Sequence, residues 1–148
     1  MESTIHASAV LVGAKAALIR GPAGSGKSRL AWDLLQAAAQ GALPFARLVG
    51  DDRVSTEVHY GRLLVRPAPA LAGLIEIRGL GIRWLPFEPV AAVGLVVDLA
   101  AADAERMPAP NAGLTKLEGI ELPRLAVAPD QEPLPLVLAF LGTSPKAD

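Results

Sequence analysis

The chain opens with two short apolar runs. Residues 5–12 (IHASAVLV) and 16–20 (AALIR) predict a pair of strands joined by a turn at Gly13-Ala14-Lys15. From Lys27 the hydrophobic period lengthens: Leu30, Ala31, Leu34, Leu35 and Ala38 share one helical face, and Gly41 stands where that helix should stop. Residues 46–50 (ARLVG) form an apolar strand that runs straight into Asp51-Asp52. Strand-like pieces then crowd together at 53–58, 62–66, 74–78 and 80–85, separated by Gly and Pro. Such density predicts a meandering, antiparallel or mixed sheet more than repeated βαβ units. Residues 91–99 (AAVGLVVDL) are apolar enough for a strand buried on both faces. The Ala- and Pro-rich run after Leu99 predicts a short turn of helix and then a loop. One more strand is expected at 121–127 and a C-terminal helix from Pro133 or Pro135. The pattern describes one α/β domain over residues 1–148, with no repeats and no interdomain linker.

Composition narrows the class. Hydrophobic residues make up 51% of the 148, a globular balance. Fourteen Lys and Arg against fifteen Asp and Glu leave a net charge of −1, so no global field draws the chain to nucleic acid or anionic lipid. The absence of cysteine removes disulfides, thiolate metal sites and a Cys nucleophile. The N-terminal residues lack the basic and long apolar regions of a signal peptide, and no stretch is long enough to span a membrane. The expected location is the cytoplasm.

The strongest chemical signal is Gly21-Pro22-Ala23-Gly24-Ser25-Gly26-Lys27-Ser28, which fits G-x-x-x-x-G-K-[ST] at every specified position. A predicted strand precedes it and an amphipathic helix follows. Glycines let the backbone curl so that its N–H groups point at phosphate oxygens, and the helix N-terminus adds the positive end of its dipole. Lys27 is placed to meet the β- and γ-phosphates, and the Ser28 hydroxyl to ligate Mg²⁺.

A phosphate loop needs acidic partners. Asp51 and Asp52 end one strand, and Asp98 ends another. Asp98, after four apolar residues, resembles an ordinary Walker-B aspartate, or else caps the strand before the loop that follows. The adjacent pair would repel each other unless a cation lies near, so one could hold Mg²⁺ and the other accept a proton. The plainer alternative is a solvated turn with Asp52 paired to Arg53. His6, in the first strand, is placed to orient an aspartate or to serve the fold; His59 reads as a solvated hairpin tip. Arg106 and Lys116 flank the Ala- and Pro-rich loop.

With the loop, the acidic pair and one further stretch in view, the sequence resembles the HPr kinase/phosphorylase family. More narrowly, it is similar to the short form that consists of the C-terminal catalytic domain. His6 in IHAS, the loop GPAGSGKS, the GDDRV segment at 50–54 and Ile75-Glu76-Ile77-Arg78-Gly79-Leu80-Gly81-Ile82 match in order, the last being the most specific. The resemblance spans residues 3–127. It implies a P-loop fold with a mixed sheet, related to phosphoenolpyruvate carboxykinase, and an ATP- and Mg²⁺-dependent serine kinase whose substrate is an HPr-like phosphocarrier protein. It further implies Asp51 as general base tuned by His6, Ser28 and Glu76 at the metal, Lys27 on the phosphates, and catalytic arginines at Arg78 and, by spacing, Arg106. With Asp51 as the base, Asp52 is the member of the acidic pair left to hold the metal. The run after Leu99 lacks the PGRN-type segment that the long form uses for dephosphorylation and hexamer packing. The short form is also associated with nitrogen-type phosphotransferase systems and sensor-kinase signalling, and a homo-oligomer is compatible with it. Two other readings share the core: a nucleotide-binding regulatory module with little transfer, and a kinase of small hydroxyl compounds.

Overall fold

The computed structural model describes residues 4–146, so both ends of the expected 1–148 span lie outside the described residues. The first predicted strand divides: β1 (Thr4–Ile5) leaves the line at His6, and β2 (Ala7–Val12) forms a hairpin with β3 (Lys15–Arg20). The loop 21–26 then leads into α1 (Lys27–Ala39). β4 (Ala46–Gly50), β5 (Val54–His59) and β6 (Arg62–Pro67) follow, then the separate hairpin of β7 (Leu74–Ile77) and β8 (Gly81–Trp84). β9 (Ala91–Asp98), β10 (Leu114–Leu117), β11 (Ile120–Ala126) and α2 (Pro133–Gly142) complete the described residues.

Helix α1 ends as its glycine foretold. The N–H of Gly41 donates to the Ala38 carbonyl at 3.1 Å and that of Ala42 to the Ala37 carbonyl at 2.8 Å. These two bonds form a Schellman cap, with Gly41 at φ 86°. The segment after Leu99 departs from expectation. It holds no helical turn directly after the strand. It carries instead a 3₁₀ turn at Pro110–Gly113 and then β10, which pairs with β11 across Glu118-Gly119. Both turn residues have positive φ, 49° and 83°, the twist that closes a two-residue hairpin.

The main sheet runs β1-β5-β6-β9-β3-β2-β4 and is mixed. β9 lies parallel to β3 along one edge, while its other edge is shared by antiparallel β6 at Ala91–Ala92 and parallel β11 at Val96–Asp98. Because β2 is antiparallel to both β3 and β4, the carboxyl ends of β3, β4, β9 and β11 all leave the sheet on one side.

The core has two layers, one on each face of the sheet. Val10, Ile19, Leu95 and Val97 pack with Leu30, Ala31 and Leu34 of α1 and Val137 of α2. Ala9, Leu18, Val93 and Val96 pack with Val54, Leu63 and Val65 on the other face. Gly94 is an extra residue against β3, since Ala16 pairs with Val93 and Ala17 with Leu95. That bulge sends Val93 and Leu95 to opposite faces, which is why the whole of β9 must be apolar.

Candidate functional site

The loop 21–28 is shaped by close approach. A Cβ on Gly21 would lie 2.5 Å from Ser25 Oγ and 3.0 Å from Leu99 Cβ, so only glycine lets the loop turn back over the end of β9. Gly24 and Gly26 take φ of 80° and 98°, the second as N-cap of α1. No side chain caps this N-terminus and no acidic residue lies in the first turn, so its N–H groups and positive dipole end stay uncompensated. Lys27 Nζ donates to the carbonyls of Gly21 at 2.8 Å and Pro22 at 3.2 Å, which holds the ammonium within the loop. Ser25 Oγ is buried without a hydrogen-bond partner. An orphaned hydroxyl, an uncapped helix start and a held cation make a donor set that suits a polyphosphate.

Asp51 stands at the centre of the site, 3% exposed at the carboxyl end of β4. Ser28 Oγ lies 2.8 Å from both of its carboxylate oxygens. Ser8 Oγ donates to Oδ1 at 2.6 Å, and the backbone N–H of Glu76 donates to Oδ2 at 3.2 Å. One carboxylate thus joins the loop, the buried strand β2 and the hairpin strand β7. Ser8 was not singled out from the sequence. Its only signal there is a hydroxyl inside an apolar strand, and at 0% exposure it requires a partner.

Asp52 is placed differently. It is exposed, at φ 68°, at the apex of a three-residue turn closed by the Arg53 N–H on the Asp51 carbonyl at 2.8 Å. The Asp52–Arg53 pairing does not form. Arg53 donates instead to Thr4 Oγ1 at 3.0 Å and to His6 Nε2 at 2.9 Å. Because a guanidinium only donates, that contact makes Nε2 the acceptor. His6 therefore meets the acidic turn through Arg53 and makes no hydrogen bond to Asp51.

The side chain of Glu76 is exposed beside Asp51, and Arg78 is exposed just beyond β7. Arg106 is exposed in the loop after β9, with no hydrogen bond or ion pair to any described residue. Among the described residues no three His or acidic side chains are grouped to hold a metal. The hard oxygen donors that the fold brings together are Ser28 Oγ and the Asp51 carboxylate, a combination that fits Mg²⁺.

Of its two sequence readings, the surroundings of Asp98 agree with an anchor at the strand end. Arg20 Nε and Nη2 donate to its two oxygens at 2.7 and 2.8 Å, and Arg124 Nε donates at 2.6 Å. Arg124 reaches on to Asp103 at 2.8 and 3.0 Å. Burial works against the charge of Asp98, yet the bonds from Arg20 and Arg124 outweigh it and hold its pKa below the ordinary value. With its oxygens taken by two guanidiniums, Asp98 ties together the ends of β3, β9 and β11.

No protein-family model matches the sequence, and no curated protein matches it. Among solved structures, the HPr(Ser) kinase/phosphatase from Coxiella burnetii superposes with a TM-score of 0.75, covering 95% of this chain and 89% of that one at 21% identity. The chain has the fold of that kinase/phosphatase. The likeness agrees with the mixed sheet and two helices. Among the described residues no helix is long and apolar enough to cross a membrane.

Proposed function

We propose that the chain is an ATP- and Mg²⁺-dependent kinase that phosphorylates a serine hydroxyl of an HPr-like phosphocarrier protein. The observation that carries the reading is the contact of Ser28 with Asp51, because it couples a phosphate-loop hydroxyl to a carboxylate at a strand end. The fold shared with an HPr(Ser) kinase/phosphatase supports the substrate class. Bound Mg-ATP would supply the phosphoryl group and ADP as leaving group. The uncapped start of α1 and Lys27 would hold the phosphates, and Ser28 with Asp51 would hold the metal.

The sequence reading gave the proton to Asp51 and the metal to Ser28, Glu76 and Asp52. The placement of the two aspartates favours the opposite division. Asp51 is buried with both oxygens on Ser28, whereas Asp52 is exposed, has no hydrogen-bond partner among the described residues, and is open to an incoming hydroxyl. In this reading the serine oxygen bonds to the γ-phosphorus as the bond to the leaving oxygen breaks, and Asp52 accepts the hydroxyl proton. Arg53, held by Thr4 and His6, fixes the turn that presents Asp52. The backbone N–H of Glu76 reaches Asp51, and Arg78 is exposed one residue beyond β7.

The test is transfer of label from γ-labelled ATP, with Mg²⁺, to the HPr-like carrier of the same cell. Label on a carrier serine that is lost in Lys27→Ala supports the reading. ATP binding without transfer would point to a regulatory module, and label only on small hydroxyl compounds to a small-molecule kinase.

A further inference from the structure

Ser8 stands in β2, a strand flanked by β3 and β4, among residues that are otherwise apolar. It is fully buried, so its hydroxyl meets no incoming ligand. Packing alone would favour an aliphatic side chain there, since a buried hydroxyl costs free energy unless it is bonded. Its bond is the one to Asp51 Oδ1 at 2.6 Å.

The register of the sheet accounts for that contact. Ser8 shares a face of β2 with Val10 and pairs with Ile19 of β3, and both neighbours belong to the layer under α1. On the β4 side Val10 pairs with Leu48 but Ala9 pairs with Gly50, so Val49 and Gly50 together oppose one residue. This bulge makes Ser8 and Asp51 the next facing pair. Without it, the alternation that puts Leu48 under α1 would send Asp51 to the opposite face, where Val49 and Val54 pack. The bulge needs its glycine: a Cβ on Gly50 would lie 2.7 Å from Val54 Cγ1 and 3.1 Å from Pro67 Cα. Asp51 is thereby turned toward α1 and Ser28, and Ser8 meets it there.

We infer that Ser8 is a positioning residue for the Asp51 carboxylate, and that its hydroxyl sets how tightly the site holds Mg²⁺. The inference rests on reading Ser28 and Asp51 as the oxygen donors to the metal. The carboxylate end of an aspartate turns in a broad torsional well, so a single contact does not fix it. Here donors from two strands grip it, Ser8 Oγ on Oδ1 and the Glu76 N–H on Oδ2 at 3.2 Å. Ser28 faces both oxygens at 2.8 Å, but a hydroxyl carries one proton and serves one acceptor at a time. Ser28 is also the hydroxyl whose lone pairs a cation would share, whereas buried Ser8 keeps its proton on Oδ1. Partners that orient a metal ligand in this way commonly contribute about tenfold or more to metal affinity.

Calorimetric titration of the full chain with ATP, in excess Mg²⁺ and again in EDTA, tests this. Wild type should bind ATP more tightly in Mg²⁺. Ser8→Ala should weaken binding in Mg²⁺ about tenfold and leave binding in EDTA within about twofold. A role in sheet packing alone would move both conditions together. In an Asp51→Asn background, Ser8→Ala should change affinity in Mg²⁺ by no more than about twofold, because the hydroxyl acts through that carboxylate. Should Ser8→Ala not fold, Ser8→Cys, close in size and a weak donor, is read against the same limits. Unchanged affinity in Mg²⁺, equal losses in both conditions, or a further loss of about tenfold in the Asp51→Asn background overturns the inference while the metal reading stands. Wild type that binds ATP equally in Mg²⁺ and in EDTA overturns the metal reading with it.

Discussion

At the residue scale, the three aspartates at strand ends have three different environments. Asp51 is buried among hydroxyls, Asp52 is exposed on a turn, and Asp98 is clamped by two arginines. Removing the last charge would strand Arg20 and Arg124 beside each other. Asp98→Asn should therefore cost about 2–4 kcal/mol at neutral pH, read by urea denaturation. The pH dependence follows from the lowered pKa. A carboxylate whose folded pKa lies below its unfolded value contributes stability above the unfolded value, and that contribution is lost as pH falls through the folded one. Wild type should thus lose the Asp98 contribution below the ordinary value of 3.8, and Asp98→Asn should flatten that part of its acid limb. Equal acid limbs in the two proteins would contradict the clamp. Asp51, Lys27 and Ser28 were legible in the sequence because a short motif places them. Ser8, Arg53 and Arg124 were not, because their partners lie far along the chain, as with Ser8 and Asp51, and only the register of the folded sheet brings them together.

At the element scale, hydrophobic patterning gave the helices and nearly all the strands, since α1 buries Leu30, Ala31, Leu34 and Ala37 on one face while β2 and β3 are short apolar runs buried on both faces. β10 escaped because it has only four residues, two of them exposed, and follows a Pro-rich loop. Its signal in the sequence is the Glu118-Gly119 pair between Leu117 and Ile120, a two-residue hairpin turn. The cap of α1 makes an element-scale prediction. Gly41→Ala forces a Cβ into φ 86° and should cost about 1 kcal/mol, lowering Tm by roughly 2–4 °C. No Cβ contact lies within 4 Å there, so a loss much larger than this would mean that Gly41 does more than end the helix.

For the whole molecule, strand order was not legible. Seven strands of the main path run in the order β1-β5-β6-β9-β3-β2-β4, and no local pattern states which edges meet. The order matters to function because it sends the ends of β3, β4, β9 and β11 to one side, where the loop and the acidic turn gather. The fold likeness to an HPr(Ser) kinase/phosphatase is consistent with that gathering. The division of labour between Asp51 and Asp52 is the central claim, and one paired measurement tests it: the rate of serine phosphorylation and the Mg-ATP dissociation constant in Asp52→Asn. The account predicts a rate at least about 100-fold below wild type with the dissociation constant within about threefold. A variant that transfers phosphate at the wild-type rate, or that loses Mg-ATP binding along with transfer, would contradict it.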